Sequence, residues 1–427
     1  MIPTMARITG TYKTTVVEAE KVRAFIPSSL PPQKPSLRIE GNLDKLHTNA
    51  VAALARLEVA GALVPSEEWF LYGFVRKEAV ISSQIEGTQA TLQDVLTYEA
   101  TRQSDMPAEV EEVCNYVEAL AFARSELARP KGLPLCTRLL CKIHEHLMRG
   151  VRGADKQPGT IRRSQNWIGA SRPGTAHFFP PPSEAVPELL AAMERWIHGK
   201  DSLPPLVRAG LVHVQFETIH PFLDGNGRIG RLLITLLLEH WGLLTSPLLY
   251  LSLAFKRHRQ EYYRRLSEVR TAGDWEGWTA FFLSCVQESA DNAVDTARRI
   301  FTLMGKDRQT VAHHISATVC AIRLLDQLVE HPLVTMPMAM KLLKTTKPTA
   351  SKAIDTLCQA GVLHEITGKR RDRIYAYQAY LKMLAEDTEV IQNVLPPHHK
   401  RFTEILRATN QKYGHALGRL PTGRKTD

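Results

Sequence analysis

The chain lacks paired cysteines, a long apolar run and the apolar core of a signal peptide. Its six cysteines are scattered, with no Cys-x-x-Cys pair: Cys114, Cys136, Cys141, Cys285, Cys320 and Cys358. This spacing argues against a disulfide frame and favours reduced thiols. The longest apolar run, Leu232 to Leu238, is far shorter than the roughly 20 residues that a membrane span needs. We therefore expect a cytoplasmic protein that has no contact with a membrane.

The composition is that of an ordinary globular protein. The chain has 427 residues, of which 44% are hydrophobic and 23% are charged, so its length is enough for about two or three domains with a real core. The net charge of +10 permits contact with nucleic acid or acidic partners without requiring it.

One stretch, from His220 to Arg231, concentrates the chemistry of the chain: His-Pro-Phe-Leu-Asp-Gly-Asn-Gly-Arg-Ile-Gly-Arg. An apolar helical pattern precedes it from Leu206 to Ile219, and another follows it from Leu232 to Leu237. The stretch is therefore predicted to form a helix–turn–helix corner, with Gly225-Asn226-Gly227 just ahead of the second helix. Unpaired N–H groups and the helix dipole make such an N-terminus an anion site, and glycines let phosphate oxygens approach the backbone.

Four side chains of this stretch suit the binding of a polyphosphate and the transfer of a proton. Arg228 and Arg231 are three residues apart, so they share a helix face and can clamp one polyphosphate. Asp224 supplies the oxygen that a Mg²⁺ ion bridging phosphates prefers. His220 has the side chain whose ordinary pKa suits proton transfer near neutral pH.

The same residues match, at every fixed position, the HPFx[D/E]GNGRxxR signature, and in this the chain resembles the Fic (Fido) family. The resemblance implies a protein adenylyltransferase that moves AMP from Mg·ATP to a Ser, Thr or Tyr hydroxyl of a target protein, and of itself. It implies that His220 takes the hydroxyl proton and that Asp224 holds Mg²⁺. Gly225, Asn226 and Gly227 would cradle the phosphates through their backbone. Arg228 and Arg231 would bind the β- and γ-phosphates.

A second motif, Ser82-Ser83-Gln84-Ile85-Glu86-Gly87, matches the (S/T)xxxE(G/N) pattern of the family's inhibitory helix. In that resemblance Ser82, Glu86 and Gly87 are the motif residues, and Glu86 pairs with Arg231. An arginine held by a carboxylate cannot also clamp the γ-phosphate, so ATP would bind in an unproductive pose. The alternative is a capping box in which Ser83 and Glu86 begin a helix.

Two further segments resemble parts of the family's substrate site. Residues 159–182 are rich in glycine, proline, aromatic and β-branched residues, which predicts a β-hairpin. It resembles the flap that holds the target backbone by strand pairing. Residues 256–263 resemble the stretch that lines the adenine and ribose pocket, and His258 stands where many relatives have asparagine. We expect His258 to be a nucleotide-binding residue.

The predicted fold is mainly α, a Fic-type helical bundle with a β-hairpin flap, followed by a C-terminal winged helix-turn-helix. We divide the chain into an extended N-terminal arm (1–40), the Fic domain (41–305), a winged-helix domain (306–385) and a basic tail (386–427). Helices are predicted over Asn42–Ala60, Glu67–Ile81, 107–129, 133–148, and from Val186 to about Met304, and then over 310–330, 336–343 and 347–360.

Other signals have weaker implications. His213 lies seven residues before His220 and is predicted to have a core or supporting role. His144 and His146 are two apart on a helix and therefore face different ways, which argues against a metal site. The second helix of the predicted winged helix lacks arginine, asparagine or glutamine at its start, so we favour docking or homodimer formation over sequence-specific DNA binding.

Two alternatives to AMP transfer stay open at this point. One is removal of AMP, or transfer of another phosphate-linked group, at the same site, with Glu86 positioning water. The other is a DNA-binding regulator whose Fic domain only senses nucleotide.

Overall fold

The structure, a computed structural model, describes residues 7–62, 67–101, 107–151, 153–169 and 172–389. Helices dominate these ranges. The predicted basic tail lies outside them from residue 390 onward. Among the described residues, no helix has both the length and the apolarity to cross a bilayer.

The first eleven helices carry the residues of the motif and its surroundings. Their bounds are α1 Asn42–Ala62, α2 Glu67–Ile85, α3 Leu92–Thr101, α4 Ala108–Ala128, α5 Thr137–Leu147, α6 Val186–His198, α7 Pro205–Ile219, α8 Asn226–His240, α9 Ser252–Arg257, α10 Arg259–Ala272 and α11 Trp275–Ala312. The helix predicted to end at Ile81 continues to Ile85, which puts Ser82 and Ser83 inside α2. The helix α3, Leu92–Thr101, lies where the sequence predicts no helix.

The centre of the bundle is formed by α7 and α8. Nearly every residue of both helices is buried, polar ones included, and a helix that is covered on all sides belongs in a core. The two helices pack against each other, and α11 runs along both α1 and α7. The corner between α7 and α8, which carries the motif, is therefore held by the most buried part of the protein.

The N-terminal segment differs from the prediction of an extended arm. It contains an antiparallel hairpin, β1 Gly10–Val17 and β2 Glu20–Pro27, joined by a two-residue turn. Glu18 and Ala19 adopt positive φ at that turn (48° and 66°). Turns of this kind usually carry glycine or asparagine, so Glu18 and Ala19 carry no turn signal, although the β-branched residues of β1 are typical of a strand.

The flap contains less strand than predicted. Within the described part of residues 159–182, a single isolated bridge joins Ile168 and Phe178, and a 3-10 turn covers Pro173–Thr175. Prolines explain the short pairing, because they remove the N–H groups that a ladder needs. The flap instead contacts the N-terminal hairpin, because the Phe25 N–H of β2 donates a hydrogen bond to the Phe179 carbonyl at 3.0 Å.

A domain boundary was predicted at residues 305–308, yet α11 runs through it to Ala312. Ile300, Met304 and Val311 are buried and keep the helical spacing across this region. The single glycine, Gly305, costs a helix only about 1 kcal/mol, which such packing easily offsets. The helix predicted over 310–330 is therefore two helices, α11 and one that begins at Val319.

The C-terminal part has the predicted order of helix, helix and hairpin. Its elements are α12 Val319–Gln327, β3 Leu333–Thr335, α13 Met336–Leu343, α14 Lys347–Gln359, β4 His364–Glu365, β5 Ile374–Ala376 and α15 Gln378–Ala385. The strands form an antiparallel sheet in the order β3-β5-β4. Assignment of this part as a winged-helix domain stays a prediction.

We expect this C-terminal part to bind DNA weakly and without sequence preference. The start of α14 exposes Lys347 and Lys352, and the hairpin exposes Arg370, Arg371 and Arg373. Such cations contact phosphates, which gives affinity that falls steeply with salt and carries no sequence information. A gel shift of the full chain against random genomic fragments measures this. Salt-resistant binding to one sequence would contradict it.

Candidate active site

The corner between α7 and α8 is held by backbone conformation and by one amide side chain. His220 follows the end of α7 in a left-handed conformation (φ 50°), and Gly225 adopts φ 75° just before α8 begins. Asn226 fastens the loop, because the Phe222 N–H donates to Asn226 Oδ1 (2.9 Å) and Asn226 Nδ2 donates to the Phe222 carbonyl (2.8 Å). The side chain of Asn226 thus shapes the turn and leaves only the backbone to face an anion.

His144 supports the same loop, a role that the sequence did not indicate. The Gly159 N–H donates to Nδ1 at 2.8 Å, so the neutral ring carries its proton on Nε2 and donates it to the Asp224 carbonyl at 3.0 Å. The ring stacks on Phe222 with the centroids 3.9 Å apart. Burial lowers the pKa of His144 to about 4, which keeps this bridge neutral at physiological pH.

Arg231 is buried, and its Nε and Nη2 atoms donate hydrogen bonds to residues at the end of α2 and just beyond it. Its Nε donates to Ser82 Oγ (2.9 Å), and its Nη2 donates to the Ser82 carbonyl (2.9 Å) and to Glu86 Oε1 (2.7 Å). Burial opposes the charged form of Arg231, but the Glu86 carboxylate together with Glu217, Tyr262 and Tyr263 raises the pKa overall. The structure therefore brings together the two residues that the inhibitory motif pairs.

Glu86 lies directly over the first turn of α8. A Cβ atom added at Gly227 would meet Glu86 Oε1 at 2.1 Å, so only glycine allows the carboxylate this close to the helix N-terminus. Glu86 follows the last residue of α2, which excludes the alternative of a capping box at a helix start. Gly87 has φ 98°, a conformation that favours glycine and turns the chain away after the glutamate.

Arg228 is less completely engaged than Arg231. Its Nη1 lies 3.5 Å from Glu112 Oε2, and its Nη2 is 3.5 Å from Met148 Sδ and 3.9 Å from Asp224 Oδ1. Its Nε is buried and has no hydrogen-bond partner within the described residues. A buried donor without an acceptor lowers the stability of the folded protein. The guanidinium of Arg228 can therefore still donate a hydrogen bond to a phosphate oxygen.

His220 is kept neutral by its surroundings. Burial, together with the cationic Arg162 and Arg270, lowers its pKa to about 4, although the Glu217 carbonyl and the Glu86 carboxylate oppose the shift. At neutral pH the imidazole is therefore unprotonated and able to accept a proton.

The comparisons with known proteins agree with this geometry. The sequence profile described as "Fic/DOC family N-terminal" matches residues 45–125, and that described as "Fic/DOC family" matches residues 134–238, which include the whole motif from His220 to Arg231 and most of α8. The chain therefore contains a Fic/DOC domain over these residues.

Two curated relatives share part of its length. The chain is 28% identical over 206 residues to a "probable protein adenylyltransferase" of Aquifex aeolicus, covering 47% of this chain and 57% of that protein. It is 30% identical over 154 residues to "Protein adenylyltransferase Fic" of Culex quinquefasciatus, covering 36% and 28%. In both cases the chain matches less than two thirds of the relative.

One solved structure resembles a larger share of the chain. A Fic family protein from Desulfovibrio desulfuricans G20 superposes with a TM-score of 0.52 at 22% identity, covering 80% of this chain and 97% of the other. The likeness shows a common fold.

Asp224 is the residue of this Fic protein that is best suited to a divalent cation. Its Oδ1 accepts the Gly225 N–H at 2.6 Å, and its side chain is 41% exposed. Within the described ranges Oδ2 accepts no hydrogen bond, and no cluster of three or more His, Cys, Asp or Glu side chains is present. One exposed carboxylate fits Mg²⁺, which is commonly held by one or two carboxylates together with substrate phosphates and water.

The last turn of α2 is also held from the C-terminal side. Gln84 Nε2 donates to the Ala90 and Thr388 carbonyls, and Lys256 Nζ donates to Gln84 Oε1 (2.6 Å) and to the Glu389 carbonyl (2.7 Å). The segment from Ser82 to Gly87 is thus fixed on both sides, by Arg231 and by the chain that follows α15.

The predicted nucleotide contact of His258 stays a prediction. His258 is buried at the junction of α9 and α10, where Nε2 lies 2.8 Å from Glu288 Oε2. Tyr262 is buried and its hydroxyl lies 2.8 Å from His213 Nε2, whereas Tyr263 is 43% exposed. His213, whose Nδ1 lies 3.0 Å from the Gly230 carbonyl, has the core role predicted for it.

Glu217 is a buried carboxyl that the sequence reading overlooked. It precedes His220 by one helical turn, and its Oε1 would lie 2.4 Å from a Cβ at Gly230. Burial raises its pKa to about 7, although Arg231 opposes the shift. Glu217 is therefore a second acidic group near Arg231. Its Oε1 has no hydrogen-bond partner among the described residues.

Proposed function

We propose that this protein transfers AMP from Mg·ATP to a hydroxyl side chain of a target protein and of itself. One observation carries the proposal: a neutral His220 stands at the glycine-lined N-terminus of a buried helix that also presents Arg228 and Arg231. A base, an anion cradle and two guanidinium groups within twelve residues are what a nucleoside triphosphate and an attacking hydroxyl require. The names of the curated relatives support the same reaction.

In the proposed reaction, the hydroxyl oxygen forms a bond to the α-phosphorus and the bond from that phosphorus to the β-bridging oxygen breaks. His220 accepts the hydroxyl proton as the new bond forms. The N–H groups at the start of α8 and the two arginines stabilise the negative charge of the leaving pyrophosphate. The protein contributes positioning and charge stabilisation, as enzymes of phosphoryl-type transfer do.

Asp224 would hold the Mg²⁺ of the nucleotide, and the ion would neutralise charge on the phosphates. Without such an ion the Asp224 carboxylate would repel the triphosphate beside it.

We propose further that Glu86 restrains this activity. Its carboxylate occupies the space over Gly227 and binds Arg231, which are the groups that a γ-phosphate would use. ATP that enters beside Glu86 therefore lacks one clamp and is displaced from the in-line geometry.

Removal of AMP is a second candidate, favoured by one observation. Glu86 and His220 are close enough for each to shift the other's pKa, so the pair could hold a water molecule for attack on a bound AMP ester. Release of AMP from a previously labelled protein would distinguish this reaction from transfer.

We predict that Asp224→Ala loses transfer by about 10²-fold or more even in excess Mg²⁺, because a Lewis acid on the phosphates contributes several kcal/mol to the transition state. The measurement is incorporation of labelled AMP in a Glu86→Gly background. Asp295→Ala, which removes an exposed aspartate of α11, is the control. Full activity in the presence of EDTA would show that the reaction needs no divalent cation.

A further inference from the structure

Arg162, in the first limb of the flap, is among the most buried side chains of the protein, with 1% of its surface exposed. Its guanidinium donates to four backbone carbonyls. The acceptors are those of His220 (2.9 Å, from Nε), Ser164 (3.1 Å, from Nη1), and Pro181 (2.5 Å) and Ile219 (3.4 Å), both from Nη2. One side chain thus joins both limbs of the flap to the end of α7.

The backbone of Arg162 adds a fifth contact, because its N–H donates to the Pro221 carbonyl at 2.9 Å. The residue therefore binds three consecutive carbonyls, from Ile219 to Pro221. His220, in the middle, has φ 50°, a left-handed conformation that a non-glycine residue keeps only when its surroundings impose it. Arg162 is the side chain that imposes it from the flap.

The charge of Arg162 is not needed for packing. No carboxylate forms an ion pair with it among the described residues, and burial lowers its pKa to about 10. Glu184, which acts on it from a distance, pairs with Lys13 instead. A buried cation that binds only carbonyls carries a desolvation cost that an apolar residue would avoid. The guanidinium group of arginine, by contrast, has five N–H donors and is the one side-chain group that can donate to four carbonyls at once.

We propose that Arg162 is a positioning residue that fixes the imidazole of His220 and the flap in one relative geometry. This rests on the proposed function, in which His220 takes the proton of the acceptor hydroxyl, and on the expectation that the flap holds the backbone of the target. A displacement of about 1 Å between a base and its substrate can lower turnover about 10²-fold. Arg162 acts through His220 and touches no substrate itself.

The arrangement also has an electrostatic consequence. The groups that face His220 are Arg162 from the flap, Arg270 from α10, Glu86 from the end of α2 and the Glu217 carbonyl from α7. Both arginines lower the pKa of His220. Removal of the Arg162 charge should therefore raise that pKa, and because the neutral imidazole is the active form, the acidic limb of the turnover profile should move to higher pH.

The test compares Arg162→Gln and Arg162→Lys with Arg163→Gln, all in the full chain carrying Glu86→Gly. Arg163 is the exposed neighbour of Arg162, so it is a matched control for charge and position. The measurements are turnover and KM for ATP in self-labelling with AMP, the pH profile, and the titration of the His220 ring by NMR, assigned against His220→Ala.

We expect turnover to fall about 10²-fold in both Arg162 variants, with KM for ATP within about two-fold of the parent and Arg163→Gln unchanged. Glutamine should raise the pKa of the His220 ring, whereas lysine, which keeps the charge but not the fork, should leave it low. Equal turnover and an equal pKa of the His220 ring in the Arg162→Gln and Arg163→Gln variants would overturn the proposal. A fall in turnover that only follows the folded fraction, measured by thermal melting, would also overturn it.

Failure of the proposed function has a different signature. If the Glu86→Gly parent transfers no AMP at all, AMP transfer is wrong, while the NMR titration still reports whether Arg162 controls His220. An unchanged His220 titration in Arg162→Gln would then reject the coupling independently of any activity.

Discussion

Replacement of His220 by alanine is expected to abolish AMP transfer while leaving ATP binding largely intact. The neutral imidazole is the base of the motif, and loss of a positioned base usually lowers the rate about 10²–10⁴-fold. The phosphates, by contrast, would be held by the backbone at the start of α8 and by Arg228 and Arg231, none of which this substitution removes. Incorporation of labelled AMP and equilibrium binding of ATP, both in the Glu86→Gly background, measure the two effects.

His47→Ala is the control for this substitution, because His47 is a half-buried histidine on α1. It should leave both measurements unchanged. If His220→Ala labels protein at nearly the rate of its parent, His220 is not the base, and the proposed mechanism loses its proton acceptor.

The parts of the site that are contiguous in sequence were predictable. From His220 to Arg231, each side chain lies within a few residues of the others, so the helix–turn–helix corner and its glycines were enough to place them. The approach of Glu86 to Arg231 was predictable only through the family resemblance, because the two residues are 145 positions apart. Local patterns do not specify such long-range contacts.

The supporting residues could not be recognised from local patterns. Arg162 and Arg163 are adjacent and chemically alike, yet one is buried under five hydrogen-bonding contacts and the other is exposed. His144 was rejected as a metal ligand by its spacing, and nothing local indicates that its ring joins Gly159 to Asp224. In both cases the role depends on which backbone carbonyls and N–H groups the fold brings near, and these carry no side-chain signal.

Errors in the fold prediction have the same physical origin. The N-terminal hairpin was missed because Glu18 and Ala19 form its turn without glycine or asparagine. The helix break predicted at residues 305–308 does not occur in α11, because one glycine weakens a helix by less than the burial of Ile300, Met304 and Val311 stabilises it. Tertiary packing outweighed local propensity in each region.

Replacement of Glu86 by glycine is expected to raise self-modification about 10- to 100-fold, since a hydrogen bond to a charged group contributes about 1.5–3 kcal/mol. The change removes the carboxylate acceptor of Arg231 Nη2, which keeps its hydrogen bond to the Ser82 carbonyl, and it empties the space over Gly227, where Glu86 Oε1 now lies. The pKa of Glu86 is lowered by Arg231 although burial acts in the opposite direction. The carboxylate therefore stays charged at pH 5, and mild acid should not release it.

Two further variants separate the charge of Glu86 from its size. Glu86→Gln keeps the volume over Gly227 but weakens the hold on Arg231, so its rate should lie between those of the parent and Glu86→Gly. Ser82→Ala removes one hydrogen bond to Arg231 and leaves the carboxylate, so it should change the rate little. Labelled AMP on the chain, followed over time at fixed Mg·ATP, measures all three. An unchanged or lower rate in Glu86→Gly would indicate that Glu86 serves the structure or the removal of AMP, because a carboxylate that only blocks the γ-phosphate site cannot be needed for activity.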